Sequence, residues 1–166
     1  MKTRILMLLC IFLIFSTLAY SAEEKEYTSP NREYIASVVA VGQSGESKVV
    51  VKTKDGRPIC SKNYASEDGG HGFGVEKAAW TPDSRFFVYS MSSSGGHQPW
   101  HFPAEFCSIP RSTTRSLDDY IGSITSPDFE TKAPDIVKGK KIGKEIDDQV
   151  DFEVRLSSLD RQGKKK

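Results

Sequence analysis

Trp80-Thr81-Pro82-Asp83-Ser84-Arg85-Phe86-Phe87-Val88-Tyr89-Ser90 is the stretch that decides the fold. Pro82 fixes φ near −65° for the first central position of a type I turn, and Asp83 can bond the backbone two residues on. After the turn comes an apolar run with no polar face: Phe86 and Val88 alternate with Phe87, Tyr89 and Met91. A strand apolar on both faces has to lie between two layers. The same phrase occurs 52 residues earlier as Ser29-Pro30-Asn31-Arg32-Glu33-Tyr34-Ile35-Ala36, and its head returns 45 residues later as Ser126-Pro127-Asp128-Phe129.

Around these phrases the pattern is almost wholly extended. Tyr34 to Val41 is apolar on both faces. Ser47 to Thr53 points Val49, Val51 and Thr53 to one side and Lys48 and Lys52 to the other, and Asp55-Gly56 marks a tight hairpin. Arg57 to Tyr64 returns as a weaker strand. Residues 65–74 read as a loop, Lys77 to Trp80 as a short strand, and 93–103 as a second loop. Ala104 to Pro110 is the next strand, Ser116 to Ile121 is expected to close that unit, and Thr125 to Lys141 reads as irregular. Asp148 to Leu156 alternates cleanly, with Val150, Phe152, Val154 and Leu156 inward. A repeat of this period built from antiparallel strands has the spacing of β-propeller blades.

The phrase Thr81 to Ser90, with Trp80 before it, resembles the TolB-type β-propeller repeat: an aromatic, then Ser/Thr-Pro-Asp-Gly-Lys, then an apolar strand ending in Ser. Ser29 to Ala40 is similar to it as well; at Ser126 no apolar strand follows directly. The resemblance covers about two blades and implies four-stranded antiparallel blades without catalytic residues. A closed propeller takes four to eight blades, and this chain has room for two to three. The expected fold is therefore all-β, with propeller-like blades in an open stack or partial propeller. Unpaired blade edges make a homo-oligomer a second way of completing it.

The first 21 residues read as a cleaved secretory signal. Lys2 and Arg4 precede an 11-residue apolar run, Ile5 to Phe15, and Ala19-Tyr20-Ser21 places small residues before the cut. An uncleaved anchor is the competing reading. Residues 22–157 are expected to form one β domain and 158–166 a basic tail. Processing removes two cations, so the net charge moves from +1 to −1, and no electrostatic footprint for nucleic acid is present. No transmembrane segment is expected after cleavage. Location is then periplasmic or extracellular, where Cys60 and Cys107 can form a bridge or remain two buried thiols.

Two loops share the phrase Gly-Gly-His: Gly69-Gly70-His71 and Gly95-Gly96-His97, the second continuing to Trp100 and His101. All three histidines of the chain lie there. Imidazoles with nearby carboxylates suit Zn²⁺ or Cu²⁺, so His71, His97 and His101 are metal candidates, although their spacing is not diagnostic. Trp100, between Pro99 and Pro103, is a candidate for stacking on a sugar ring or anchoring a peptide, or else a core plug. There is no Gly-x-Ser-x-Gly, His-Glu-x-x-His or Cys-x-x-Cys. The function these features favour is a non-catalytic binding or scaffold module without a cofactor. A metal-binding protein and a hydrolase are the alternatives, the latter requiring a nucleophile and base about 3 Å apart.

Overall fold

The computed structural model describes residues 23–96, 98–145 and 148–161. Three antiparallel sheets make up the protein, none of them closed on itself. The first contains β1 (Glu24–Thr28), β2 (Tyr34–Val41), β3 (Glu46–Thr53) and β4 (Pro58–Asn63), paired in chain order. The second contains β5 (Phe73–Trp80), β6 (Phe86–Ser93), β7 (Ala104–Ser108) and β8 (Thr113–Ser116), again in chain order. A short helix, α1 (Asp118–Ile121), leads to the third sheet: β9 (Glu130–Lys132), β10 (Ile136–Ile142) and β11 (Gln149–Arg155). Helix α2 (Leu156–Arg161) follows β11 directly.

The two full proline phrases fold alike. In each, the backbone N–H of the fourth residue donates to the carbonyl of the first (Arg32 to Ser29, Ser84 to Thr81). The Asn31 or Asp83 carboxamide or carboxylate oxygen accepts from the backbone N–H two residues on, at Glu33 and Arg85. The Ser29 and Thr81 hydroxyls accept from the N–H of Tyr34 and Phe86. The fourth residue of each turn sits in the left-handed region, Arg32 at φ 61° and Ser84 at φ 62°. The third residue's N–H reaches across to the neighbouring sheet: Asn31 donates to Ser84 Oγ (3.0 Å) and Asp83 to the Pro134 carbonyl (3.1 Å). The repeat thus forms its own hairpin and locks that hairpin to the next layer.

The second sheet is the middle layer. Phe86, Phe87, Val88, Tyr89, Ser90 and Met91 are all buried. Phe87, Tyr89 and Met91 face the first sheet, packing with Ala36, Val38, Val49, Val51 and Trp80. Phe86 and Val88 face the third, with Phe106, Leu117, Ile124, Phe129, Val137, Phe152 and Leu156. Trp80 links the first two layers: its ring lies 5.1 Å from Phe87 and 6.1 Å from Tyr34, and its Nε1 donates to the Tyr27 carbonyl (2.8 Å). Cys60 on β4 and Cys107 on β7 are joined by a disulfide, with Cα atoms 6.2 Å apart.

Several stretches differ from the sequence expectation: β1 is a strand the pattern does not mark, and β5 starts at Phe73, inside the expected 65–74 loop. Residues 125–141 are not irregular; they contain β9 and most of β10. Lysines at 138, 140 and 141 hide the strand signal, and two of them are accounted for by the neighbouring strand: Lys138 pairs with Glu153, and Lys140 with Asp151 at 2.6 Å. The strand that closes the second sheet is Thr113–Ser116 rather than 116–121, because Leu117 turns into the helical region (φ −73°, ψ −35°) and buries completely. The packed unit also runs past residue 157. Leu159 and Asp160 are buried, Leu159 in the core beside the third sheet and Asp160 against Ser108 Oγ (3.0 Å) and Arg111 Nε (3.1 Å). An amphipathic single turn gives too short a pattern to read as helix. The expected signal segment and residues 162–166 of the tail lie outside the described residues.

Two stability measurements test this arrangement. A non-glycine residue in the left-handed region carries a cost of about 1–2 kcal/mol, part of which glycine's freedom in the unfolded chain offsets. Arg32→Gly should therefore raise unfolding free energy by about 0.5–1 kcal/mol in urea titration. Replacing both Cys60 and Cys107 by Ala should lower it by about 2–4 kcal/mol, since the bridge closes a loop of nearly fifty residues between two sheets.

Candidate functional site

The two Gly-Gly-His loops meet at one end of the sheets, and a single buried carboxylate joins them. Glu46 opens β3 on the same side as Lys48 and Lys52, where an acid reads as solvated. Instead the 65–74 loop folds across it and leaves it 1 % exposed. Its Oε1 accepts from the Gly72 N–H (2.6 Å), Ser94 Oγ (2.7 Å) and Ser66 Oγ (2.9 Å), and its Oε2 from the Ser66 N–H (2.9 Å). The Ser94 hydroxyl, then the Gly72 amide and both Ser66 donors, hold this carboxyl down at about 2 against the opposing effect of burial. The Ser94 N–H also donates to the Gly72 carbonyl (3.0 Å), so the loops touch directly. Gly72 is required here. A Cβ on it would stand 2.2 Å from the Tyr64 carbonyl and 2.7 Å from Glu46 Cδ.

On this frame the candidate histidines occupy separate places. His71 is exposed and its Nδ1 meets Asp68 Oδ2. The Gly70 amide, the Ser66 hydroxyl and His71, in that order, lower the Asp68 carboxyl to about 2. His101 is largely covered, and its Nε2 lies 2.7 Å from Asp118 Oδ1. Asp118 in turn accepts from the N–H groups of Ala104 (3.0 Å) and Ile124 (3.2 Å). Each of these two imidazoles thus has its own carboxylate. His97 lies outside the described residues. Among the described residues no group of three or more His, Cys, Asp or Glu side chains is arranged to hold a metal ion.

Trp100 stands beside His101, ring centres 5.6 Å apart, and is 38 % exposed. No other large hydrophobic side chain is exposed to that degree among the described residues. Its loop closes a turn on itself and is tied to Ile124 on the C-terminal side. Gln98 adopts φ 52° and its carbonyl accepts from His101 N–H (2.9 Å), while Phe102 N–H donates to the Ile124 carbonyl (2.9 Å). Pro99 and Pro103 add fixed dihedrals.

A second polar group was not visible in the sequence. Between the first two sheets, the Tyr64 hydroxyl donates to Glu105 Oε2 (2.6 Å) and lies 2.6 Å from the Tyr89 hydroxyl. Lys62 Nζ reaches Glu105 Oε1 at 2.6 Å. Burial raises both phenols well above their ordinary value; next come Tyr89 and then Glu105 for Tyr64, and the Glu105 charge for Tyr89. This group ties β7 to the chain at β4, with Lys62 and Glu105 each two residues from a cysteine of the disulfide. The only available signal was a lone acid, Glu105, inside an otherwise apolar strand. No protein-family model matches this chain, and no curated protein matches it.

The lowered Glu46 carboxyl gives a pH signature. Its folded value lies below the ordinary 4.5, so its contribution is complete above that value and is lost as pH falls toward about 2. Glu46→Gln should lower the melting temperature at pH 7 by several degrees and flatten the decline in stability between pH 5 and 2. Circular dichroism melts across that range provide the measurement.

Proposed function

We propose that this chain is an exported, non-catalytic binding or scaffold module that presents Trp100 from the rim of an open stack of blade-like sheets. One observation carries the reading: a large aromatic is held out to solvent on a turn closed by the Gln98–His101 hydrogen bond and tied to Ile124 at its C-terminal end. An indole in that setting offers a broad contact face at little ordering cost on binding. Sugar rings and extended peptides are the ligand classes that use such a face. The disulfide between the first two sheets fits an oxidising compartment. Among the described residues no helix is long and apolar enough to cross a membrane.

The test compares wild type with Trp100→Ala. Indole fluorescence is followed while a tetrameric N-acetylglucosamine oligosaccharide or a degenerate peptide library is added. The reading expects a saturable emission shift with one probe, absent in Trp100→Ala, and an unfolding free energy unchanged within about 0.5 kcal/mol. A stability loss of about 3 kcal/mol or more, the size seen for core aromatics, would instead make Trp100 a structural plug. Absence of any shift with both probes would count equally against the proposal.

A further inference from the structure

The third sheet is one strand short. The first and second sheets each run four strands in chain order, while the third ends at β11 with its outer edge unpaired among the described residues. Natural edges are usually shortened, bulged, broken by proline or lined with charge. The other edge strands here follow that rule. β1 has five residues, β8 four and β9 three; β4 starts at Pro58 and carries a register shift opposite Val51/Lys52, and β5, though eight residues long, carries one between Val75 and Lys77. β11 uses only charge, on its outward face. It has seven residues, no proline, and an unbroken register with β10 from Gln149 to Arg155. Its inward residues are Val150, Phe152 and Val154. Its outward residues are Asp151, Glu153 and Arg155, with Asp151 84 % and Glu153 54 % exposed at the side chain.

We infer that the β11 edge accepts an extended segment of a basic partner polypeptide as a fourth strand, with Lys or Arg of that segment facing Asp151 and Glu153. Charge selects this occupant. Asp151 and Glu153 already have Lys140 and Lys138 on their β10 side, so a basic strand on the other side continues the alternation across the sheet. Pairing with a second copy of β11 is disfavoured. An antiparallel two-fold centred on Phe152, the register that pairs all seven residues, sets Asp151 opposite Glu153 twice; only shorter registers bring Arg155 opposite either acid. Main-chain bonding supplies general affinity in such strand addition, and alternate side chains supply selectivity.

Two labelled seven-residue peptides test this, one alternating valine with lysine and one alternating valine with glutamate. Fluorescence anisotropy reads binding to the full chain, and amide hydrogen exchange locates it. The lysine peptide should bind about ten-fold more tightly than the glutamate peptide and slow exchange in residues 149–155. Asp151→Asn/Glu153→Gln should erase that preference while circular dichroism stays as in wild type. Equal binding of the two peptides, slowed exchange elsewhere, or a preference that survives the double variant would overturn the inference. So would slowing in 149–155 that rises with protein concentration alone, which would assign the edge to a second copy. Trp100→Ala leaves this edge intact, so the outcome is separable from that of the rim.

Discussion

The burial of β6 on both faces is the constraint on which the structure depends. Six consecutive side chains, Phe86 to Met91, are removed from water, with phenylalanines on opposite sides of one strand. Neither face can be covered by the strand's own sheet, so a layer is needed on each side. The proline phrases make this layering orderly. Each turns the chain into the second strand of a four-stranded sheet and passes one N–H to the next sheet, from Asn31 to Ser84 and from Asp83 to Pro134. Local turn chemistry and layer-to-layer contact are therefore one device.

Between the first and middle layers, apolar packing is supplemented by ties that only long-range folding makes. The disulfide and the Lys62–Glu105–Tyr64–Tyr89 group both join the β4 region to the middle sheet. At the rim, Glu46 gathers Ser66, Gly72 and Ser94 without a cation, using backbone and hydroxyl donors alone. A buried carboxylate survives only when donors satisfy it. The glycines of the rim loops serve that need at Gly72, where the chain must pass close to Glu46 and to Tyr64.

The third layer is less complete. The Ser126 phrase does not form the turn of the other two: Asp128 N–H bonds back to Ser126 Oγ, and β9 after it has only three residues. β10 instead pairs partly with β9 and partly with residues 123–125, and Gly139 lies beneath the Phe152 ring where those two partners part. A charged ladder covers the outer face of this sheet, which keeps the stack from adding a fourth layer by apolar contact. Its long edge at β11, by contrast, has no strand partner among the described residues.

Much of this was legible in the residues themselves. Apolar pattern located β2, β3, β6, β7 and β11: in β3 and β11 it alternates with the pleat, and in β2 and β6 it covers both faces. The proline phrases marked the hairpins, since proline and an Asn or Asp two places into the turn act within five residues. The lysine-rich β10, the closing strand at Thr113–Ser116 and helix α2 were hidden, because each takes its form from partners far along the chain. The site divides in the same way. His71, Trp100 and His101 could be named as candidates from local composition, but Glu46, Asp118 and the Tyr64–Tyr89–Glu105 group could not. A carboxylate or phenol becomes structural only when distant donors and burial converge on it. Chain chemistry alone determined the apolar strands and the proline turns; tertiary packing decided the lysine-rich and closing strands and which polar groups would be enclosed, because enclosure is a property of what folds over a residue and not of the residue.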